Sequence, residues 1–82
     1  MDDLNTLRKK IDELDEKIMK LLDERFTLNK IVGIVKQESK IAVNDTTREQ
    51  FILNKTKNYK YTNKIQPVYL TIFEESKKLQ GK

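Results

Sequence analysis

The sequence contains no cysteine and no histidine, and only one proline and two glycines. Without cysteine there is no disulfide, no thiolate chemistry and no cysteine-based zinc site, and nothing points to an oxidising compartment. Without histidine the commonest general base and the commonest metal ligand are both missing. Only 37% of the 82 residues are hydrophobic, below the usual globular share, so a lone copy has little apolar surface to bury. No apolar run approaches the length that spans a bilayer. The N-terminal MDDLNTL has neither the basic nor the apolar region of a secretory signal. The chain therefore reads as one small domain over residues 1–82, free-standing, soluble and cytoplasmic.

Acidic residues are also absent from Gln50 to Phe73, although Lys55, Lys57, Lys60 and Lys64 lie there. The net charge of +4 suits an anionic partner, which could be nucleic acid, an acidic surface or a small polycarboxylate. Charge alone does not choose among them.

What is present is helical periodicity. Leu4, Leu7, Ile11, Leu14, Ile18 and Leu21 recur in steps of three and four, and the series resumes with Leu28, Val32 and Val35. The spacing predicts an all-α chain of three helices. The first runs from about residue 3 to 38, supported by Glu13–Lys17 and Glu16–Lys20 pairs four apart. The second covers about 46–58, with Asp45 or Thr46 as its N-cap, and Thr46 with Glu49 fits a capping box. The segment NYKYTNK reads as a connection. The third helix covers about 66–80, with Pro67 in its first turn and Val68, Tyr69, Ile72, Phe73 and Leu79 on its apolar side. A helix of roughly 36 residues is about 54 Å long, whereas a compact chain of this size has a radius of gyration of about 12 Å. Its apolar seam thus overshoots any globule one chain can make. A second copy is the economical cover, which predicts an intertwined helical homodimer.

The seam is interrupted where its register calls for an apolar residue and finds Arg25. Lys36, eleven residues on, is only about 20° away around the axis, with Asn29 and Val32 between them. Arg8 flanks the seam near its start. Long cations do snorkel at such flanking positions or pair across an interface. A desolvated, unpaired charge on the seam itself is costly, so Arg25 needs a carboxylate, from protein or from ligand. On the third helix, Ser76 and Gln80 place neutral hydrogen-bonding groups on the face carrying Ile72 and Phe73.

The combination of LRKKIDELDEKIMKLLDER (7–25), VGIVK (32–36), VNDTTRE (43–49) and ESKKLQ (75–80) resembles the all-helical, type II class of chorismate mutases, over nearly the whole chain. The resemblance implies an intertwined dimer of three-helix subunits with active sites shared between them. It implies the rearrangement of chorismate to prephenate, on the way to phenylalanine and tyrosine, with no cofactor and no metal. It further implies that Arg25, helped by Ser76, grips one substrate carboxylate and that Arg8 of the other subunit grips the second. Lys36 and Gln80 would donate to the ether oxygen, and Glu49 with the backbone near Asp45 would receive the ring hydroxyl. Arg48 would order the charges around Glu49, and Val32 and Phe73 would form apolar wall.

Three other readings stay open beside this resemblance, one of them a coiled-coil adaptor or a regulatory module fused elsewhere to a larger enzyme. Isochorismate pyruvate-lyase and enzymes acting on amino-chorismate share this scaffold and kind of site. The lysine–tyrosine tract KTKNYKYTNK (55–64) is of the sort that binds nucleic acid, although no helix-turn-helix or zinc signature accompanies it.

Overall fold

Asp3 opens the first helix. Its carboxylate accepts the Thr6 amide at 2.8 Å, satisfying one of the donors that every helix start leaves unpaired. With no proline to interrupt it, the helix then continues for 36 residues. In the computed structural model, which describes residues 3–42 and 45–81, the elements are α1 (Leu4–Ser39), α2 (Thr46–Thr56) and α3 (Thr62–Gly81). No strand occurs among the described residues, so the all-α expectation is met. None of these helices is long and apolar enough to cross a membrane. Val43 and Asn44, the first two residues of the VNDTTRE stretch, lie outside the described residues.

The hydrogen bond from Thr6 holds the Asp3 carboxyl below its ordinary pKa. A carboxylate whose pKa is depressed by folding stabilises the fold above its unfolded pKa and loses that contribution as pH falls through the folded one. The cap is therefore fully formed throughout the neutral range.

The far end of α1 closes differently. Lys40 adopts a left-handed backbone with φ 58°. Its amide donates to Gln37 O, and Ile41 donates to Lys36 O at 2.8 Å. This paired closure usually carries glycine at the left-handed position, because a Cβ is penalised there by about 1–2 kcal/mol. Lys40→Gly is accordingly expected to stabilise the fold by about 1 kcal/mol, read as a raised midpoint in thermal unfolding.

Boundaries at the second turn differ from expectation. α2 stops at Thr56, short of residue 58, and α3 begins at Thr62, before residue 66. The reason is Thr56, which is buried. Its hydroxyl donates to Leu53 O at 2.6 Å, lies 2.9 Å from Thr62 Oγ1 and accepts Gln66 Nε2 at 3.0 Å. The last two of these bonds clip the end of α2 to the start of α3, so the NYKYTNK segment is a tight turn followed by the first helical turn. Pro67 consequently sits inside α3, one turn deeper than expected. Val68, on the side of α3 that carries Ile72 and Leu79, is 58% exposed in the single chain.

α3 packs against both α1 and α2, whereas α1 and α2 do not pack on each other. The single chain measures 56 × 23 × 15 Å with a radius of gyration of 16.0 Å, well above the compact value. Phe73 is the one buried hydrophobic side chain among the described residues. From residue 3 to residue 21 every position is exposed, including the whole seam from Leu4 to Leu21. A free-standing helix of mixed composition gains most of its stability from packing its apolar face. One chain leaves that face bare.

Candidate active site

The three helices enclose a cleft of about 450 Å³, within the usual range for small-ligand sites. The C-terminal half of α1 supplies Arg25 and Lys36, the start of α2 supplies Asp45, Arg48 and Glu49, and the end of α3 supplies Ser76 and Gln80. Every site residue expected from the sequence therefore lines it, except Arg8. That side chain is exposed on the free half of α1, roughly 25 Å from Arg25 at the axial rise of an α-helix. Val32 and Phe73 form apolar wall, as expected.

Arg25 is half-buried. Its Nη1 donates to Ser76 Oγ at 2.8 Å and to Asn29 Oδ1 at 3.2 Å, and its guanidinium lies 6.0 Å from the centre of the Phe73 ring. Asn29 is one helical turn on from Arg25, so the α-helical repeat itself brings these two side chains together. Ser76 is buried and donates its own proton to Ile72 O at 2.7 Å. Its hydroxyl is thus turned so that a lone pair faces Arg25, and it orients the guanidinium from the opposite helix. Among the described residues no carboxylate lies within ion-pair distance of Arg25. Both hydrogen bonds leave from Nη1, so the Nη2 and Nε donors, the edge suited to a carboxylate, remain for a ligand.

Deeper toward the end of α1, Lys36 Nζ donates to Gln80 Oε1 at 3.0 Å. This leaves the Gln80 amide N–H groups beside the ammonium, so an acceptor placed there can meet two donors at once. Arg25, Lys36, Arg48 and Lys77 all line the cleft, so an anion entering it meets several cations.

The start of α2 is built by Asp45. It accepts the Arg48 amide on its side chain at 2.9 Å and the Glu49 amide on its backbone carbonyl at 3.2 Å. Asp45 is therefore the N-cap, and Glu49 falls one position past the place a capping-box glutamate occupies. The Thr46–Glu49 capping box expected from the sequence does not form. Glu49 instead meets Lys77 of α3, Nζ to Oε2, at 3.1 Å.

Lys77 was not among the residues singled out by pattern, since it lies between Ser76 and Lys78 in an ordinary polar run. Only the crossing of α2 and α3 makes it a neighbour of Glu49. With side chains 36% and 22% exposed, such a pair is worth about 0–1 kcal/mol. Its consequence is orientation: it fixes one oxygen of Glu49 and leaves the other for a hydroxyl donor. Arg48, expected to order charge around Glu49, stacks on Phe51 with 5.8 Å from guanidinium to ring centre.

The chain is similar to several known proteins. Residues 7–81 match the sequence pattern of the family described as chorismate mutase type II. A chorismate mutase of Methanocaldococcus jannaschii is 46% identical over 52 residues, which is 63% of this chain and 52% of that protein. A bifunctional chorismate mutase/prephenate dehydratase of Aquifex aeolicus is 40% identical over 55 residues, 67% of this chain and 15% of that protein. The chain thus spans about half the length of the first of these curated relatives and a small part of the second. Among solved structures, a conserved hypothetical protein from Pyrococcus furiosus superposes with a TM-score of 0.83 at 30% identity, covering 94% of this chain and 93% of that one. With a match that runs through all three helices and all the cleft residues, the chain belongs to the chorismate mutase type II family.

Proposed function

We propose that this chain converts chorismate to prephenate. The reaction is an intramolecular rearrangement in which the ether C–O bond breaks as a new C–C bond forms, so atoms and electrons balance within one molecule. It requires no nucleophile, no proton transfer and no redox partner, and a protein without histidine or cysteine lacks nothing for it. The catalyst must hold a flexible dianion in the conformer where the bonding carbons meet. It must also stabilise negative charge growing on the ether oxygen.

The observation that carries this reading is Arg25, half-buried and held by neutral groups through Nη1, on the wall of a cleft that Lys36 also lines. Arg25 takes one substrate carboxylate, with Ser76 and Asn29 holding its plane. Lys36 and the Gln80 amide donate to the ether oxygen. Glu49, fixed by Lys77, receives the ring hydroxyl together with backbone near Asp45, and Arg48 adds positive potential at the rim. The second carboxylate needs another cation, and Arg8 of a second copy supplies it.

That copy is the proposed homodimer partner. What supports it is the exposed seam of α1: Leu7, Ile11, Leu14 and Ile18 are each more than 40% exposed in one chain, and these apolar side chains find cover when two long helices pair. The proposed setting is the cytoplasm, with no cofactor. No nucleic-acid partner is needed. Strong, salt-sensitive binding of DNA or RNA would instead direct attention to the Lys55–Lys64 tract.

The decisive experiment follows the loss of chorismate absorbance with purified protein and identifies the product. Prephenate supports the proposal. Inertness toward chorismate, with pyruvate and salicylate released from isochorismate, would reassign the site to a lyase. A second expected result is a kcat nearly flat between about pH 6 and 9, because no side chain in the sequence has an ordinary pKa in that window. A bell centred near neutrality would contradict the chemistry.

A further inference from the structure

Gly33 is the one buried residue that α1 contributes among the described residues, and it is a glycine in mid-helix, where alanine would favour the helix. The reason lies across the interface. A Cβ built at residue 33 would stand 2.5 Å from Gln80 Cα, 2.7 Å from Gln80 O and 3.1 Å from Gln80 C. These are backbone atoms, which cannot swing aside as the end of a side chain can. Any larger residue at position 33 must lift the last turn of α3 off α1.

Lys36 is three residues beyond Gly33, on the neighbouring turn of the same face. The close approach at Gly33 and the hydrogen bond from Lys36 to Gln80 are thus two parts of one contact. Gln80 sits in the final turn of α3, where helices ordinarily fray. Its backbone is seated directly on α1 only because no side chain intervenes at residue 33.

We infer that Gly33 is a positioning residue, holding Gln80 at the distance from which its side chain and Lys36 address the same acceptor. This deepens the mutase reading and rests on it for its kinetic consequence, but the contact itself is testable without activity. The carboxylate grip at Arg25 is about two turns away along α1, so displacement of Gln80 should weaken the chemical step more than substrate capture.

Gly33→Ala is expected to lower kcat for chorismate by roughly tenfold or more, no further than Gln80→Ala does, with a smaller change in KM. In a Gln80→Ala background the same substitution is expected to cost less than about twofold, because residues acting through one contact are not additive. Unchanged kcat in Gly33→Ala, or an equal loss with and without Gln80, would overturn the inference. So would loss of helical circular dichroism in Gly33→Ala, since the glycine would then hold the fold rather than one side chain. If the wild-type protein does not turn chorismate over, the mutase reading fails and nuclear magnetic resonance decides the contact separately. The Gln80 side-chain amide signals should move on Lys36→Met in the wild-type background and stay still in Gly33→Ala. A response of equal size in both backgrounds would refute the positioning role.

Discussion

Lys36→Ala is expected to lower kcat by roughly a hundredfold or more while leaving the far-ultraviolet circular dichroism of the protein unchanged. A fixed donor aimed at a developing oxyanion is worth about 2.7–4 kcal/mol, and Lys36 is the charged member of the pair at that end of the cleft. Its removal also takes away the partner of Gln80 Oε1, now 3.0 Å from Nζ, and frees that amide to rotate. Both losses fall on the transition state, where charge appears, more than on the bound substrate. KM should therefore change less than kcat. The fold should survive, because the α1–α3 contact also includes the Gly33–Gln80 approach and the Arg25–Ser76 bond. Turnover unchanged from wild type would remove Lys36 from the site.

The second large effect tests the sharing of each site between two chains. Arg8→Ala is expected to lose activity by roughly a hundredfold, comparable to removal of a charge-assisted contact. It should do so even though Arg8 lies outside the cleft of its own chain. Mixing Arg8→Ala protein with Lys36→Ala protein, under conditions where subunits exchange, should then restore about a quarter of the wild-type rate. Random pairing makes half of the dimers mixed, and a two-fold interface gives each mixed dimer one intact site and one doubly damaged one. A site built entirely from one chain gives no such recovery. If the mixture stays as inactive as its components although mixed dimers are detected by mass, the shared site is refuted.

Much of the fold was legible in the sequence because it depends on local chemistry. The three-and-four spacing from Leu4 to Val35, uninterrupted by proline, fixes a long helix whatever surrounds it. Asp45 was one of two N-caps the sequence allowed, and Asp3 stands where the first helix was expected to begin. Burial of Thr56 was not legible. A threonine in a polar tract carries no sign that Thr62 and Gln66 will converge on it, so the turn between α2 and α3 came out shorter than expected. Pro67 misled for a related reason: it suits a first turn in general, and here the first turn was already held by Thr56 and Thr62.

The candidate site divides in the same way. Arg25 and Lys36 stood out because they break or border an apolar stripe, which is a statement about one helix. Ser76 and Gln80 stood out on the same ground. Lys77 and Gly33 gave no such signal, since a lysine in a polar run and a glycine tolerated in a long helix are both ordinary. Glu49 carried a signal that pointed the wrong way, toward a capping box that the choice of Asp45 as N-cap leaves unformed.

The sequence by itself determined the helices, the apolar seam that one chain cannot cover, and the presence of cations on a face that ought to be dry. These follow from side-chain period and type, which act over a turn or two of backbone. Tertiary structure alone decided which of those groups meet: Arg25 with Ser76 across 51 residues, Lys36 with Gln80 across 44, and Glu49 with Lys77 between α2 and α3. The depth at which α3 settles on α1 is set by the missing Cβ at Gly33. Such distances depend on how two helices cross and how closely their backbones approach, and no period along a single helix encodes that.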